Sequence, residues 1–270
     1  MRGFPMTDFT CIPSLLREAA GILLSADHAE RQLHAKSGSQ NFVTDYDIRT
    51  ENFLRENFAR LLPEADMLGE ESSETHAVRI AEGITLIVDP IDGTTNFMQD
   101  YRQSCISVGV CDRGTIVYGA VYNPYADAMF TAALGHGAYV EEKGVTVPLH
   151  VSDRSLCDSL VLFGTSPYYR ETLAEPTFRT LWELFRKARD IRRSGSAALD
   201  LTNIAAGRCD VFFEYLLSPW DYAAGSLLIT EAGGSISQMD GSPLRFDAPC
   251  PVIAGGLAYA ELLAGSYICK

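Results

Sequence analysis

Asp89 and Asp92 stand three residues apart in Asp89-Pro90-Ile91-Asp92-Gly93-Thr94-Thr95-Asn96-Phe97, where the continuously apolar run ITLIVD at 84–89 breaks off. Two carboxylates at the end of a buried strand can face one point, with Pro90 stiffening the turn and Gly93 permitting close backbone approach. Thr94, Thr95 and Asn96 follow as helix-starting residues. Their free backbone N–H groups, with the helix dipole, form a cradle suited to phosphate. Ligands for a cation therefore adjoin donors for an anion.

Two further segments supply acids. Gly69-Glu70-Glu71-Ser72 places adjacent glutamates after a loop, and Trp220-Asp221-Tyr222-Ala223-Ala224-Gly225 opens a helix of small residues with one aspartate. Taken singly, each has a plain structural reading: a turn with a capping threonine for D-G-T-T, a solvated pair for Glu70 and Glu71, an N-cap for Asp221.

The elements that must position these residues follow from periodicity. From Cys11 to about Leu33, Ile12, Leu15, Leu16, Ala19, Ala20, Leu23 and Leu24 recur at three and four, the period of an amphipathic helix. AKSGSQNFVT reads as a loop. A second helix is expected from about Asp45 to Leu62, burying Ile48, Phe53, Leu54, Phe58 and Leu61 against the first and stopped by Pro63. ITLIVD reads as a strand buried on both faces, and 104–147 as an antiparallel meander. Beyond about 152 the pattern becomes strand (SLVLFG), helix (Thr177 to Ala188), helix (SAALDLTNIAAG), strand (CDVFFEY), helix (AAGSLLITEAG), hairpin (GSISQMDGSPL) and strand (PVIAGG), which implies α/β layering with some parallel pairing. Two tightly packed halves are expected: residues 8–150, α+β and carrying the metal and phosphate groups, and residues 151–270, α/β and completing the site.

Composition narrows the function. The 270 residues are 47% hydrophobic and 21% charged, the usage of a folded globular protein. A net charge of −13 repels nucleic-acid backbones and anionic membranes. The one basic cluster, Arg186, Lys187, Arg189, Arg192 and Arg193, reads as the solvated face and last turn of a helix. No nucleic-acid or membrane partner is expected. An acidic enzyme with an acidic substrate also needs something positive between them, and metal ions meet that need. Seven cysteines, at 11, 105, 111, 157, 209, 250 and 269, never fall at C-x-x-C spacing, so neither a disulfide framework nor a zinc cluster is indicated. With no signal-peptide pattern in MRGFPMTDFT and no long apolar span, a reducing cytoplasm is the expected location, and Met6 is an alternative start.

The set G-E-E, D-P-I-D-G-T-T-N-F and W-D-x-A-A-G, in this order and with these gaps, closely resembles the inositol monophosphatase family. The likeness runs from about Leu15 to the chain end and extends to Asn41-Phe42-Val43-Thr44, Asp47, Gly195-Ser196-Ala197-Ala198 and Glu214. It implies a layered αβαβα sandwich of the sugar-phosphatase type, with an antiparallel sheet in the N-terminal half and a mixed sheet in the C-terminal half. By position it also implies that Glu70, Asp89 and the Ile91 carbonyl hold one Mg²⁺, that Asp89, Asp92 and Asp221 hold a second, and that a third, weaker ion uses Glu70 largely through waters. These are hard oxygen ligands, as Mg²⁺ prefers. Four carboxylates (−4) and two ions (+4) cancel, which removes the repulsion of a phosphate dianion.

The implied reaction is direct attack of an activated water on phosphorus, without a phosphorylated enzyme. Thr94, held by Asp47, orients the water and helps deprotonate it, Glu70 assists, and the N–H groups of Gly93 and Thr94 bind phosphate oxygens. Asp92, Ala197 and Glu214, with Asp221, face the substrate, a small phosphorylated polyol, inositol 1-phosphate in the first place. A homodimer and inhibition by lithium are further implications. Related families use the same motifs on fructose 1,6-bisphosphate, 3′-phosphoadenosine nucleotides, NADP or histidinol phosphate, and some bacterial relatives act as regulatory binding proteins of the transcription machinery. The chain departs from the family at Asn41, where an aspartate is common beside Lys36 in the mobile loop, so the third metal is expected to bind differently. Gly135-His136-Gly137-Ala138 lacks the third glycine of a dinucleotide fingerprint and reads as a β-turn. H-E-x-x-H, G-x-S-x-G and D-x-D-x-T are all absent, which disfavours zinc peptidase, serine hydrolase and phosphoaspartyl chemistry.

Overall fold

A computed structural model describes residues 9–26, 33–35, 42–73 and 80–264. Lys36, Asn41, Met1 to Met6 and Cys269 lie outside the described residues, so the expectations on the loop, the start and that thiol are not addressed by it. The elements are α1 (Cys11–Leu24), β1 (Leu33–Ala35), β2 (Phe42–Thr44), α2 (Asp45–Leu61), β3 (Ala65–Gly69), β4 (Ile84–Asp92), α3 (Thr94–Met98), β5 (Cys105–Asp112), β6 (Thr115–Asn123), β7 (Ala128–Ala133), β8 (Ala138–Glu142) and β9 (Val145–Pro148). They continue with β10 (Leu160–Phe163), α4 (Arg170–Phe185), β11 (Asp190–Arg192), α5 (Ala197–Ala205), β12 (Val211–Leu217), α6 (Pro219–Glu231), β13 (Ser235–Ser237), β14 (Cys250–Gly255) and α7 (Leu257–Ala264).

Five layers result, as the resemblance implies. β3 to β9 form a seven-stranded sheet in sequence order, and β11-β10-β12-β14-β13 form a five-stranded one. Strand alternation sorts the side chains between layers. Leu86 and Val88 pack with Leu16, Leu54 and Phe58 of α1 and α2, whereas Ile87 joins Leu201, Tyr222 and Phe212 in the core that holds α5 and α6 between the sheets. Phe213 and Ile253 turn the other way, toward Leu181 and Leu184 of α4 and Leu262 of α7. The first sheet is antiparallel except that β3 runs parallel to β4, and the second is mixed, with β10 parallel to β11 and β12.

The run of small residues in α6 has a packing cause. A Cβ at Gly109 would stand 2.7 Å from the Ala223 Cβ, and one at Gly119 would stand 2.8 Å from the Ala224 carbonyl oxygen. Helix and sheet are in backbone contact, and this seats the first turns of α6 on β5 and β6.

Several expectations need correction. α1 ends at Leu24, where the apolar period stops, rather than near Leu33. In α2, Ile48 and Leu61 are 41% and 45% exposed, while Tyr46, Asp47, Thr50 and Glu51 are buried with Leu54 and Phe58. The first two turns of this helix point polar groups inward, which apolar periodicity cannot report. α4 begins at Arg170 and runs through Pro176 instead of starting at Thr177. GSISQMDGSPL makes a turn, with the Gln238 N–H donating to Ser242, but no second strand follows it; β13 pairs with β14. The basic cluster is not one helical face: Arg189 pairs with Asp158, Arg192 with Asp190, and Arg193 lines a cavity.

Gly135-His136-Gly137-Ala138 does form the turn between β7 and β8, and both glycine N–H groups donate to Glu231. Among the described residues no cysteine is joined in a disulfide. Nor is any described helix long and apolar enough to cross a membrane.

Candidate functional site

A cavity of about 910 Å³ opens where the ends of β3, β4 and β12 meet the starts of α3, α5 and α6, and all the sequence-predicted site residues except Asp47 line it. In a regular strand, residues three apart point to opposite faces. Asp89 and Asp92 escape this because β4 bulges: Asp89 pairs with Ser107 and Asp92 with Cys105, three steps on β4 against two on β5. The extra residue rephases the strand. Asp89 and Asp92 thereby meet Asp221, with one carboxylate oxygen from each lying within 4.8 Å of the others.

Asp221 is not the N-cap of α6. Ser218 caps, Pro219 takes the first helical position, and one Asp221 oxygen accepts from the Ser218 N–H at 2.7 Å, which turns the carboxylate back toward β4. Asp92 is held by α5: Ser196 Oγ and the Ala198 N–H (3.0 Å) both donate to its Oδ2, and the Cys105 thiol lies 3.6 Å away. The Ile91 N–H donates to Asp89 at 3.0 Å. Glu70 follows β3 and stays beside β4 through its N–H to the Val88 carbonyl at 3.1 Å. Its carboxylate is not one of the tight three, but it lines the same cavity.

Burial is the main reason that the Asp89 and Asp221 carboxyls sit well above the usual carboxylate range. Neighbouring charge adds to it, from Glu70, Asp92 and Asp221 at Asp89 and from Asp92 and Glu70 at Asp221. Asp92 is also raised by burial, against the lowering effect of its bonds from Ser196, Ala198 and Cys105. Among the described residues no lysine or arginine pairs with these three aspartates. Buried like charges that cannot all ionise call for a cation, and an all-oxygen set suits a hard one.

Thr94 begins α3. Its Oγ stands 3.2 Å from Asp47 Oδ1 and 3.1 Å from the Ile91 carbonyl, and its single proton can serve one acceptor at a time. Asp47 is fully buried and spends its other oxygen on the N-terminus of α2, where Oδ2 accepts from the Thr44 N–H at 2.8 Å. Gly93 must be glycine: its φ is +90°, and a Cβ would stand 2.8 Å from the Gln103 carbonyl. On β12, Glu214 is 7% exposed and lies against Gly164. It accepts from the Ser166 N–H at 2.7 Å and the Ser166 Oγ at 3.2 Å. Burial pushes its carboxyl up to about 7, although the Ser166 bonds and the nearby Arg193 pull the other way. Ala197, the first residue of α5, adds a small apolar spot.

A family model described as the inositol monophosphatase family matches residues 8–267. The chain belongs to this family. An inositol-1-monophosphatase of Bacillus subtilis is 32% identical over 267 residues, 97% of this chain and 98% of that one. A protein named Nus factor SuhB from Xylella fastidiosa is 32% identical over 257 residues, 92% of this chain and 89% of that one. The crystal structure of SaIMPase-II with inositol monophosphate bound superposes with a TM-score of 0.80 at 26% identity, covering 96% of this chain and 94% of that one.

Family motifs point to Glu70, Asp89, Asp92, Thr94, Asp221 and Glu214, but several cavity residues escaped the sequence reading. Ser166 sits at φ +39° in a left-handed conformation, with its Oγ also 3.0 Å from the Leu216 carbonyl, so its single proton serves either that oxygen or Glu214. The Ser-Pro step at 166–167 was the available signal for a shaped turn there. Tyr168 extends from that turn and is 48% exposed, and partial desolvation followed by the charges of Glu70, Asp221, Asp89 and Asp47 raises its hydroxyl. Asp200, one turn into α5, is buried with an Oδ1 that has no hydrogen-bond partner among the described residues. Glu51 and Arg55 of α2 also line the cavity, and nothing in their immediate sequence marks them out.

Proposed function

We propose that the chain is a Mg²⁺-dependent phosphomonoester hydrolase whose substrate is inositol 1-phosphate, cleaved by direct attack of water on phosphorus. The observation that carries this reading is the convergence of Asp89, Asp92 and Asp221 within 4.8 Å, beside a Thr94 hydroxyl in reach of Asp47. Family membership and the named inositol-1-monophosphatase relative support it.

Glu70, Asp89 and the Ile91 carbonyl would hold one cation and Asp89, Asp92 and Asp221 a second, with Asp89 shared. When bound, these cations withdraw charge from the phosphoryl oxygens and acidify the attacking water. The protein's own groups do the rest. Thr94 Oγ, donating to Asp47, turns its lone pairs to the water and accepts a hydrogen bond from it, so the proton has a path toward Asp47 Oδ1. The backbone N–H groups of Gly93 and Thr94 donate to phosphate oxygens as charge builds on them. Glu214 accepts hydroxyl hydrogens of the polyol and opposes a second phosphate at that position, while Ala197 leaves room for the ring. Ser196 and the Ala198 N–H keep Asp92 aimed.

Phosphate release from inositol 1-phosphate, fructose 1,6-bisphosphate, a 3′-phosphoadenosine nucleotide and NADP, each with Mg²⁺ and again with EDTA, tests this. Mg²⁺-dependent turnover highest on inositol 1-phosphate is expected. A different winner keeps the chemistry and replaces the substrate. The relatives named Nus factor SuhB favour a second reading, a regulatory binding protein. Negligible turnover on all four esters together with a stoichiometric protein partner on copurification would put that reading first.

A further inference from the structure

Asp47 and Glu51 stand one turn apart on the same face of α2, and both are buried. Asp47 reaches Thr94. Glu51 reaches elsewhere: its Oε2 accepts from the Glu71 N–H at 2.8 Å, and its carboxylate lies so close over Gly69 that any Cβ there would collide with it. Arg55, the next turn along, donates to Glu51 Oε1 at 2.8 Å and to Ser72 Oγ at 2.5 Å. The segment 69–72 is therefore draped over one buried carboxylate and clipped by one guanidinium. Glu70 sits in the middle of it, with its own N–H fixed to β4.

We propose that Glu51 is a positioning residue that sets the reach of Glu70 into the acidic cluster and so the cation affinity of that part of the site. The inference rests on the metal-dependent reading of the cavity. Three features argue for positioning over simple bracing. The backbone donors on either side of the Glu70 carbonyl are committed to two different elements, β4 through the Glu70 N–H and α2 through the Glu71 N–H, so the Cα of Glu70 has little freedom. Gly69 is the residue type that lets the carboxylate lie this close beneath the strand end, an approach that any side chain would forbid. The helix that carries Glu51 also carries Asp47, so one rigid turn, a rise of about 5.4 Å, fixes Glu70 relative to Thr94. Glu51 touches neither substrate nor cation in this assignment. Removing its charge weakens the Glu71 N–H bond and releases Arg55, and Glu70 then drifts.

Mn²⁺ binding to the full chain, followed by the free-ion electron paramagnetic resonance signal, tests this with a readout separate from turnover. The measurement compares wild type, Glu51→Gln and Glu51→Ala, with melting temperature recorded alongside. Glu51→Gln keeps an acceptor for the Glu71 N–H and is expected to melt near wild type while one class of Mn²⁺ site weakens about ten- to a hundredfold. Glu51→Ala weakens it further. The Mg²⁺ concentration giving half-maximal turnover rises by the same factor, with kcat at saturating Mg²⁺ changed less. Mn²⁺ isotherms that coincide with wild type, beside a lowered melting temperature, would reduce Glu51 to a brace and overturn the proposal. A wild-type chain that binds no Mn²⁺ at all would overturn the metal reading itself, and with it the role of Glu51.

Discussion

Two parts of the cavity surround their carboxylates with different partners. At the β4 end, Asp89, Asp92 and Asp221 converge from a strand bulge and a helix start, and no lysine or arginine among the described residues pairs with them. At the β12 end, Glu214 is as deeply placed but has two hydrogen-bond donors from Ser166 and an arginine close by. One end gathers like charges, whose repulsion a cation would relieve on the proposed reading, whereas the other holds a single carboxylate whose burial Ser166 and Arg193 offset only in part. On the proposed reading, chemistry belongs where like charges gather, and recognition where a lone carboxylate is held by the protein's own donors. Substitutions at the two ends should therefore differ in their effect on turnover: loss of charge relieves the metal-free fold at both, but abolishes turnover at the first and alters selectivity at the second.

The largest effect is expected from Asp89→Asn. Both proposed cation positions lose a charged ligand, and a loss of about 4 kcal/mol in transition-state stabilisation corresponds to about a thousandfold in kcat. The same variant should melt higher than wild type in EDTA, because burial and neighbouring charge penalise the ionised Asp89 of the metal-free protein. It should also lose most of the melting-temperature rise on adding Mg²⁺. Near-normal turnover would sink the shared-ligand assignment, and a lower melting temperature in EDTA would contradict the repulsion argument.

Thr94→Ala comes next. It removes the hydroxyl set between Asp47 and the water, and a loss of about 10²- to 10³-fold in kcat is expected with KM little changed. Thr94→Ser should recover most of it. An equal loss in both variants would point to the methyl group and its packing instead of the hydroxyl.

Much of this was legible in the sequence, and the failures share a cause. Continuous apolar strands, the meander and the run of small residues before Gly225 follow from local period and composition, and their layering followed in turn. Family motifs brought Glu70, Asp89, Asp92, Thr94, Asp221 and Glu214 to one cavity. The bulge that lets Asp89 and Asp92 share a face was not legible, because it exists only in the register between β4 and β5. The inward face of α2 was misread for a related reason. Asp47 and Glu51 are buried because Thr94 and the Glu71 N–H receive them, and those partners lie far along the chain. Apolar period alone favours Ile48 and Leu61, which face solvent. Ser166 was hidden in the same way, and Ser196, named within Gly195 to Ala198, carried no role, since a serine has meaning at this site only through the carboxylate it holds.

The smallest effect, and the sharpest test of the comparison, is expected from Glu214→Gln. In the metal-free protein the folded Glu214 carboxyl sits at about 7 against an ordinary value of 4.5. Between those pH values the folded chain keeps a proton that the unfolded chain has lost, so this group makes stability fall as pH rises through the window and contributes no slope on either side of it. Glutamine does not titrate. Unfolding free energies from urea titration in EDTA should therefore coincide for the two proteins near pH 4 and differ by at most about 3 kcal/mol in favour of the glutamine variant by pH 8, part of that difference arising from Asp92 and Asp221, which feel the Glu214 charge. In turnover, the variant should lose about tenfold in kcat/KM on inositol 1-phosphate, whose hydroxyls need the acceptor, and little on 4-nitrophenyl phosphate, which has none. A stability difference that does not vary with pH would mean that water reaches Glu214, or that Ser166 and Arg193 offset its burial in full, and either outcome would remove the raised carboxyl from the comparison. An equal loss on both esters would move Glu214 from recognition to chemistry and erase the distinction between the two ends.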